Sequence, residues 1–229
     1  MNQEEGQRIE PSRIQKLIAG RMLTSKQTQP CFYLTAKAPI DKIIEMRRPL
    51  SKQLGVRISL NDFIIRAMAL AVEQNPLMKG TIKNDSLELQ ADVTVGLAVA
   101  APKGLVVPVV KKANEKSLAQ IAQDTMELIE KAKNNKLTLE DLRVPCTTLT
   151  ALGMFGIESF LPIPSPGQCN IVSMGKIIEY PVVTDGKIES KKCIEFGLAA
   201  DSRVVTYDYG AKFLMDIVGF VSSPDRLSS

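Results

Sequence analysis

The sequence predicts a single α+β domain in which helices cover a mixed β-sheet. Three observations predict it. Apolar residues at three- and four-residue spacing and β-branched runs both occur along the chain, yet they do not alternate in the strict strand–helix–strand order of a parallel α/β fold. The 229 residues are 45% apolar and 24% charged, which suffices to bury one full core. No internal repeat, heptad pattern or low-complexity stretch breaks up the chain.

The elements follow in order. Residues 1–10 read as a polar leader. Pro11-Ser12 is a helix start signal, and Ile14, Leu17, Ile18 and Met22 form a one-sided stripe on a helix reaching about Gln27. Cys31 to Ala38 is rich in aromatic and β-branched residues and predicts a strand; Asp41 caps a second helix that runs to Leu54 and stops at Gly55. Ser59 with Asp62 makes a capping box for a third, mostly buried helix over Phe63 to Val72. Asp92 to Ala101 and Leu105 to Val110 predict two adjacent strands turned by Pro102-Lys103-Gly104. Leu118, Ile121, Ala122, Thr125, Leu128, Ile129 and Ala132 mark a surface helix. Strands are expected at Cys146 to Ala151, Gln168 to Met174, Ile177 to Val183 and Ile188 to Leu198, with a hairpin turn at Thr184-Asp185-Gly186-Lys187, and a closing helix over Tyr209 to Val221.

Charge and cysteine content exclude several function classes. The formal net charge is +4, with 29 basic and 25 acidic side chains interspersed, so the concentrated basic footprint of a nucleic-acid binder is missing. No apolar run is long enough to span a bilayer, and Met1 to Gln7 has neither signal-peptide nor transit-peptide character. Cys31, Cys146, Cys169 and Cys193 are widely spaced and the chain has no histidine, which argues for reduced thiols and against a zinc site. A cytoplasmic setting is expected, or a mitochondrial matrix if a targeting region has been removed.

Leu198 to Leu214, with the run Asp201-Ser202-Arg203-Val204-Val205-Thr206-Tyr207, resembles the C-terminal signature Asp-His-Arg-Val-Val/Ile-Asp-Gly-Ala of dihydrolipoamide acyltransferase catalytic domains from 2-oxo acid dehydrogenase complexes. Further stretches fall in the same order. They are Ser12 to Met22, Ser25 to Pro30, Ile58 to Phe63, Gly104 to Val110, Lys116-Ser117-Leu118 and Leu152 to Ile157. The resemblance implies the fold shared with chloramphenicol acetyltransferases and a homotrimer with active sites between subunits, which in true members builds larger cages. It also implies coenzyme A or acyl-CoA as a ligand, no metal, and a catalytic acyltransferase or other complex subunits as partners. The chain shows no lipoyl attachment site, lipoyl domain or subunit-binding domain, so residues 11–229 read as the acyltransferase domain alone.

Carried over by position, the resemblance implies that Ser202 stands at the family's catalytic histidine, Thr206 at its aspartate and Tyr207 at its glycine. Thr150 stands at the hydroxyl that supports the oxyanion, beside Ala151 in place of an asparagine. Cys31 stands where a second, noncatalytic histidine is frequent. Arg21 is the expected partner of the motif aspartate, with Asp208 as a substitute for Thr206, and Arg203 is expected to be structural. A thiol of pKa about 8.5 is only a few per cent thiolate at neutral pH, so a positioned base normally supplies roughly 10² to 10⁴ in rate. Ser202 cannot supply that. Asp201, Tyr207, Asp208, Tyr209 and Cys31 are the titratable groups nearby, and none has the base-plus-orienter pattern, so packing roles are expected for them. A tyrosine at position 207 is expected to carry backbone strain if that glycine holds a positive φ. Two readings follow: a noncatalytic or weakly active trimeric scaffold or partner subunit, and a stand-alone acyltransferase repurposed to move an acyl group from coenzyme A to a small hydroxyl, amine or thiol.

Overall fold

The computed structural model describes residues 9–102, 104–184 and 186–228. Most of the expected leader, together with the turn residues Lys103 and Asp185, lies outside the described residues. Chain order gives α1 (Arg13–Thr28), β1 (Cys31–Pro39), α2 (Asp41–Leu54), α3 (Leu60–Gln74), β2 (Gly80–Lys83), β3 (Ser86–Leu89), β4 (Val95–Leu97), β5 (Val99–Ala101), β6 (Gly104–Val106) and β7 (Val109–Val110). It continues with α4 (Leu118–Lys133), β8 (Thr147–Ala151), β9 (Asn170–Thr184), β10 (Lys187–Asp201) and α5 (Tyr207–Ser222).

Six strands form one mixed sheet in the order β1-β10-β9-β8-β4-β7. The pairs β1/β10, β10/β9 and β4/β7 are antiparallel, while β9/β8 and β8/β4 are parallel. Because side chains alternate across a strand, Phe32, Phe196, Leu198, Val172 and Leu149 all point to one face, where they join the core with α3 and α5. The α3 helix fits that role because Ser59 and Asp62 exchange both capping-box bonds, and Phe63, Ile64, Ile65 and Met68 are fully buried behind them. Truncating a side chain such as Phe63 to alanine would cost about 3–5 kcal/mol.

The other face is crossed by the segment after β8. The Ser173 hydroxyl donates to the Phe160 carbonyl at 2.9 Å, and the Lys176 amide donates to the Ile157 carbonyl at 2.7 Å. Gly175 permits this crossing, since a Cβ there would lie 1.6 Å from the Glu158 carbonyl oxygen.

Several sequence expectations change. The Gly175 position is a close approach and not a strand end, so the two strands expected from Gln168 to Val183 are the single strand β9. The expected pair at Asp92–Ala101 and Leu105–Val110 splits: β4 and β7 enter the main sheet, whereas β5 and β6 form a separate two-stranded sheet. Pro108 lacks the N–H that an unbroken ladder needs. The β2–β3 hairpin was not expected, although Asn84 and Asp85 both hold positive φ as a two-residue hairpin turn demands. Asp41 makes no capping bond to its own helix; its carboxylate accepts the Lys192 amide and ties α2 to β10. Finally, α1 buries only Ser25 and leaves Leu17 64% exposed, so its apolar stripe is largely uncovered within the chain.

Candidate functional site

The loop following β10 is held by its own polar groups. Asp201 is 2% exposed and receives three bonds from Arg203: the backbone amide at 3.0 Å, Nε at 3.0 Å and Nη2 at 2.6 Å. The Val204 and Val205 amides close the turn onto the Asp201 carbonyl. A buried carboxylate without such a partner would be strongly destabilising, so this two-pronged pair fixes the loop. The Ser202 amide and hydroxyl both donate to the Pro30 carbonyl, at 3.1 and 2.8 Å. The hydroxyl proton is therefore already engaged, and a neutral hydroxyl has no basicity to remove a thiol proton.

Thr206, Tyr207 and Asp208 open α5. The polar groups at the start of α5, the Thr206 hydroxyl foremost and then the backbone amides of Asp208 and Tyr209, hold the exposed Asp208 carboxyl below its ordinary range. A carboxylate stabilised in this way is a weak base. The Tyr207 ring stacks on Phe32 with centroids 4.3 Å apart and planes 23° from parallel. Phe32 in turn sits where a Cβ on Gly210 would approach its ring to 2.7 Å. Tyr207 is the first residue of a regular helix and is not among the described non-glycine residues with positive φ, so the backbone strain expected there is not present.

The remaining nominated groups are placed as follows. The Tyr209 hydroxyl accepts the Leu77 amide at 3.1 Å. Cys31 is half-buried, and burial together with the nearby Asp201 carboxylate pushes its thiol up to about 11 against the opposing charges of Lys26 and Arg203. A thiol so shifted is a poor nucleophile at neutral pH. Arg21 is exposed on α1 beside an apolar cavity of about 250 Å³ lined by Ile18, Met22, Leu105 and Val144. It forms no ion pair with any described residue, Asp208 included.

Thr150 has a different environment. It lies near the end of β8, partly buried, and its hydroxyl has no hydrogen-bond partner among the described residues. Its neighbour Ala151 borders a cavity of about 380 Å³ shared with Leu60, Asn61, Gly153, Met154 and Met174. Strand register fixes where this hydroxyl stands relative to Ser202. Thr150 pairs with Ser173, Ser173 with Gly197 and Gly197 with Thr35, whereas Ser202 follows Asp201, which pairs with Cys31. Five residues along the strand and two strands across amount to roughly 19 Å. A single chain therefore cannot present both positions to one reacting atom.

Sequence reasoning did not find the Pro30 carbonyl as the anchor of Ser202, nor Phe32 and Gly210 as the seat of Tyr207. Both are contacts between segments far apart in sequence, and no local pattern announces them.

Residues 3–228 match the family model described as the catalytic domain of the 2-oxoacid dehydrogenases acyltransferase. The chain belongs to this acyltransferase family. It is 37% identical over 227 residues to the dihydrolipoyllysine-residue acetyltransferase component of pyruvate dehydrogenase complex from Rickettsia felis, covering 97% of this chain and 55% of that protein. It is 32% identical to the mitochondrial pyruvate dehydrogenase protein X component of Mus musculus, covering 96% of this chain and 44% of that one. The chain thus spans about half the length of the curated relatives it matches. Among solved structures it is similar to an Azotobacter vinelandii dihydrolipoamide acetyltransferase investigated for the roles of a serine, a histidine and an asparagine in its catalytic mechanism, with a TM-score of 0.92, 25% identity and coverage of 97% of this chain and 94% of that one. A chloramphenicol acetyltransferase shares the fold at 12% identity, with a TM-score of 0.55 and coverage of 92% of this chain and 96% of that one. The acyltransferase domain described here is thus a mixed sheet with helices in the fold of that family.

Proposed function

We propose that this domain is a noncatalytic or nearly noncatalytic core subunit of the family, assembling as a trimer and serving as scaffold or partner for a histidine-bearing acyltransferase of a 2-oxo acid dehydrogenase complex. The observation that carries the reading is the loop from Asp201 to Asp208. Its Asp201 carboxylate is bound by Arg203, its Ser202 hydroxyl by the Pro30 carbonyl, its Asp208 carboxyl is held in the charged form by the start of α5, and the chain has no histidine to act as a base. The separation of Thr150 from Ser202 supports assembly from more than one copy, since a site that uses both positions needs two chains, and the family resemblance supports the trimer as its form. The uncovered stripe of α1 and the exposed Met154, Phe155 and Leu161 supply apolar surface for such contacts. Identity to complex components of Rickettsia felis and Mus musculus supports the choice of partners.

A mixing experiment tests the reading. A chain carrying Ser202→His, Thr206→Asp, Tyr207→Gly and Thr150→Ala has the base but lacks the oxyanion hydroxyl. Combined with the wild type and allowed to exchange subunits, it should transfer acetyl groups between acetyl-CoA and dihydrolipoamide faster than either parent. Equal rates before and after mixing would refute the shared site.

The free Thr150 hydroxyl favours a second reading, in which the domain moves an acyl group from coenzyme A to a small acceptor by positioning and oxyanion support alone. Calorimetric titration with acetyl-CoA and free coenzyme A separates the two. Micromolar binding, with turnover that falls in Thr150→Ala, supports the repurposed enzyme; absence of binding rejects it.

A further inference from the structure

A third cavity, away from the loop after β10, lies between the start of α3 and one face of α4. It measures about 400 Å³ and is lined by Arg57, Ser59, Asp62, Ala122, Thr125, Met126, Ile129, Glu130 and Lys133. Its volume falls within the range of small-molecule sites. Its back wall is polar but satisfied: the Thr125 hydroxyl donates to Asp62 Oδ1 at 2.6 Å and the Ser59 amide donates to Oδ2 at 2.6 Å, so these groups are not available to a ligand. Ala122, Met126 and Ile129 supply apolar surface along α4, and Met126 is 54% exposed to the opening.

Arg57 and Lys133 stand at the rim, and neither forms an ion pair with a described residue. Elsewhere around α4, Lys116, just before the helix, pairs with Asp124, and Lys131 pairs with Glu127. Glu130 is the single exposed acid at the opening, against two cations. An apolar slot that ends at two unpaired cations is complementary to a molecule with a short aliphatic body and one negative end. We propose that this cavity binds a small amphipathic anion, of the class of medium-chain carboxylates, with the chain against Ala122, Met126 and Ile129 and the head group between Arg57 and Lys133. The proposal is independent of the function assigned above, because it uses neither Thr150 nor the loop after β10.

Calorimetric titration of the intact chain with acetate, hexanoate, octanoate and octylamine tests it. Affinity should rise from acetate to octanoate by up to about fourfold per methylene buried. Arg57→Gln with Lys133→Gln, both on the surface, should weaken octanoate at least tenfold with unfolding temperature unchanged, and Glu130→Gln should tighten it severalfold. Octylamine should bind more weakly than octanoate. No saturable octanoate binding up to millimolar concentration, binding indifferent to the two cations, or octylamine binding as well as octanoate would overturn the proposal.

Discussion

The two ends of the central sheet differ in how their polar groups are employed. At the Ser202 end, Asp201 is locked by Arg203, the serine hydroxyl by Pro30, and Asp208 by the start of α5. At the Thr150 end, a hydroxyl stands without a partner among the described residues, on a strand whose register and neighbours are regular. One end has had its polar capacity turned inward to hold a loop; the other keeps it available. On the proposed reading, half of a shared site is retained as chemistry while the other half is retained as packing.

If that contrast is correct, the largest effect comes from rebuilding the closed end. Ser202→His with Thr206→Asp and Tyr207→Gly, in a chain with intact Thr150, should raise acetyl transfer to dihydrolipoamide by about 10² to 10⁴, the span a positioned base supplies. No gain in a folded variant would mean that the Thr150 end is as altered as the other. The next effect concerns Cys31. With its thiol pushed up to about 11, alkylation of Cys31 by iodoacetamide should run about 100-fold slower at pH 8 than that of a thiol at the reference value of 9.0, and should speed up as pH rises through 11. Peptide mapping after timed labelling measures this, and fast labelling at neutral pH would restore Cys31 as a nucleophile.

Stability effects follow. Arg203→Ala leaves Asp201 buried without its cation; since Arg203 is itself 43% exposed, the expected cost is reduced to about 2 kcal/mol in denaturant unfolding. A cost near zero would show that the pair does not hold the loop. Tyr207→Ala removes a stacked ring that is 64% exposed and should cost about 1 kcal/mol. An increase in stability would indicate strain that the helical backbone at Tyr207 does not show.

Much of the fold was legible in the sequence because it is written locally. Ser59 with Asp62, the spacing on α4 and the αL residue Gly55 each mark an element through interactions a few residues long. The strand pattern was less legible where glycine and proline serve contacts instead of turns: Gly175 admits the Glu158 carbonyl inside a continuous strand, and Pro108 splits a β-branched run. The candidate site was read as a list of positions, from the motif frame that runs from Asp201 to Gly210. What each position does was not, because Ser202 answers to Pro30 and Tyr207 to Phe32, and these partners are brought near only by the pairing of β1 with β10.

The most direct test is steady-state acetyl transfer from acetyl-CoA to dihydrolipoamide by the wild-type chain and by Thr150→Ala, at an enzyme concentration where the oligomeric mass is known. A noncatalytic domain should give a wild-type rate within about tenfold of the spontaneous reaction, little changed by the substitution. A wild-type turnover in the usual enzymatic range of about 1–10³ s⁻¹, lost in Thr150→Ala, would contradict it.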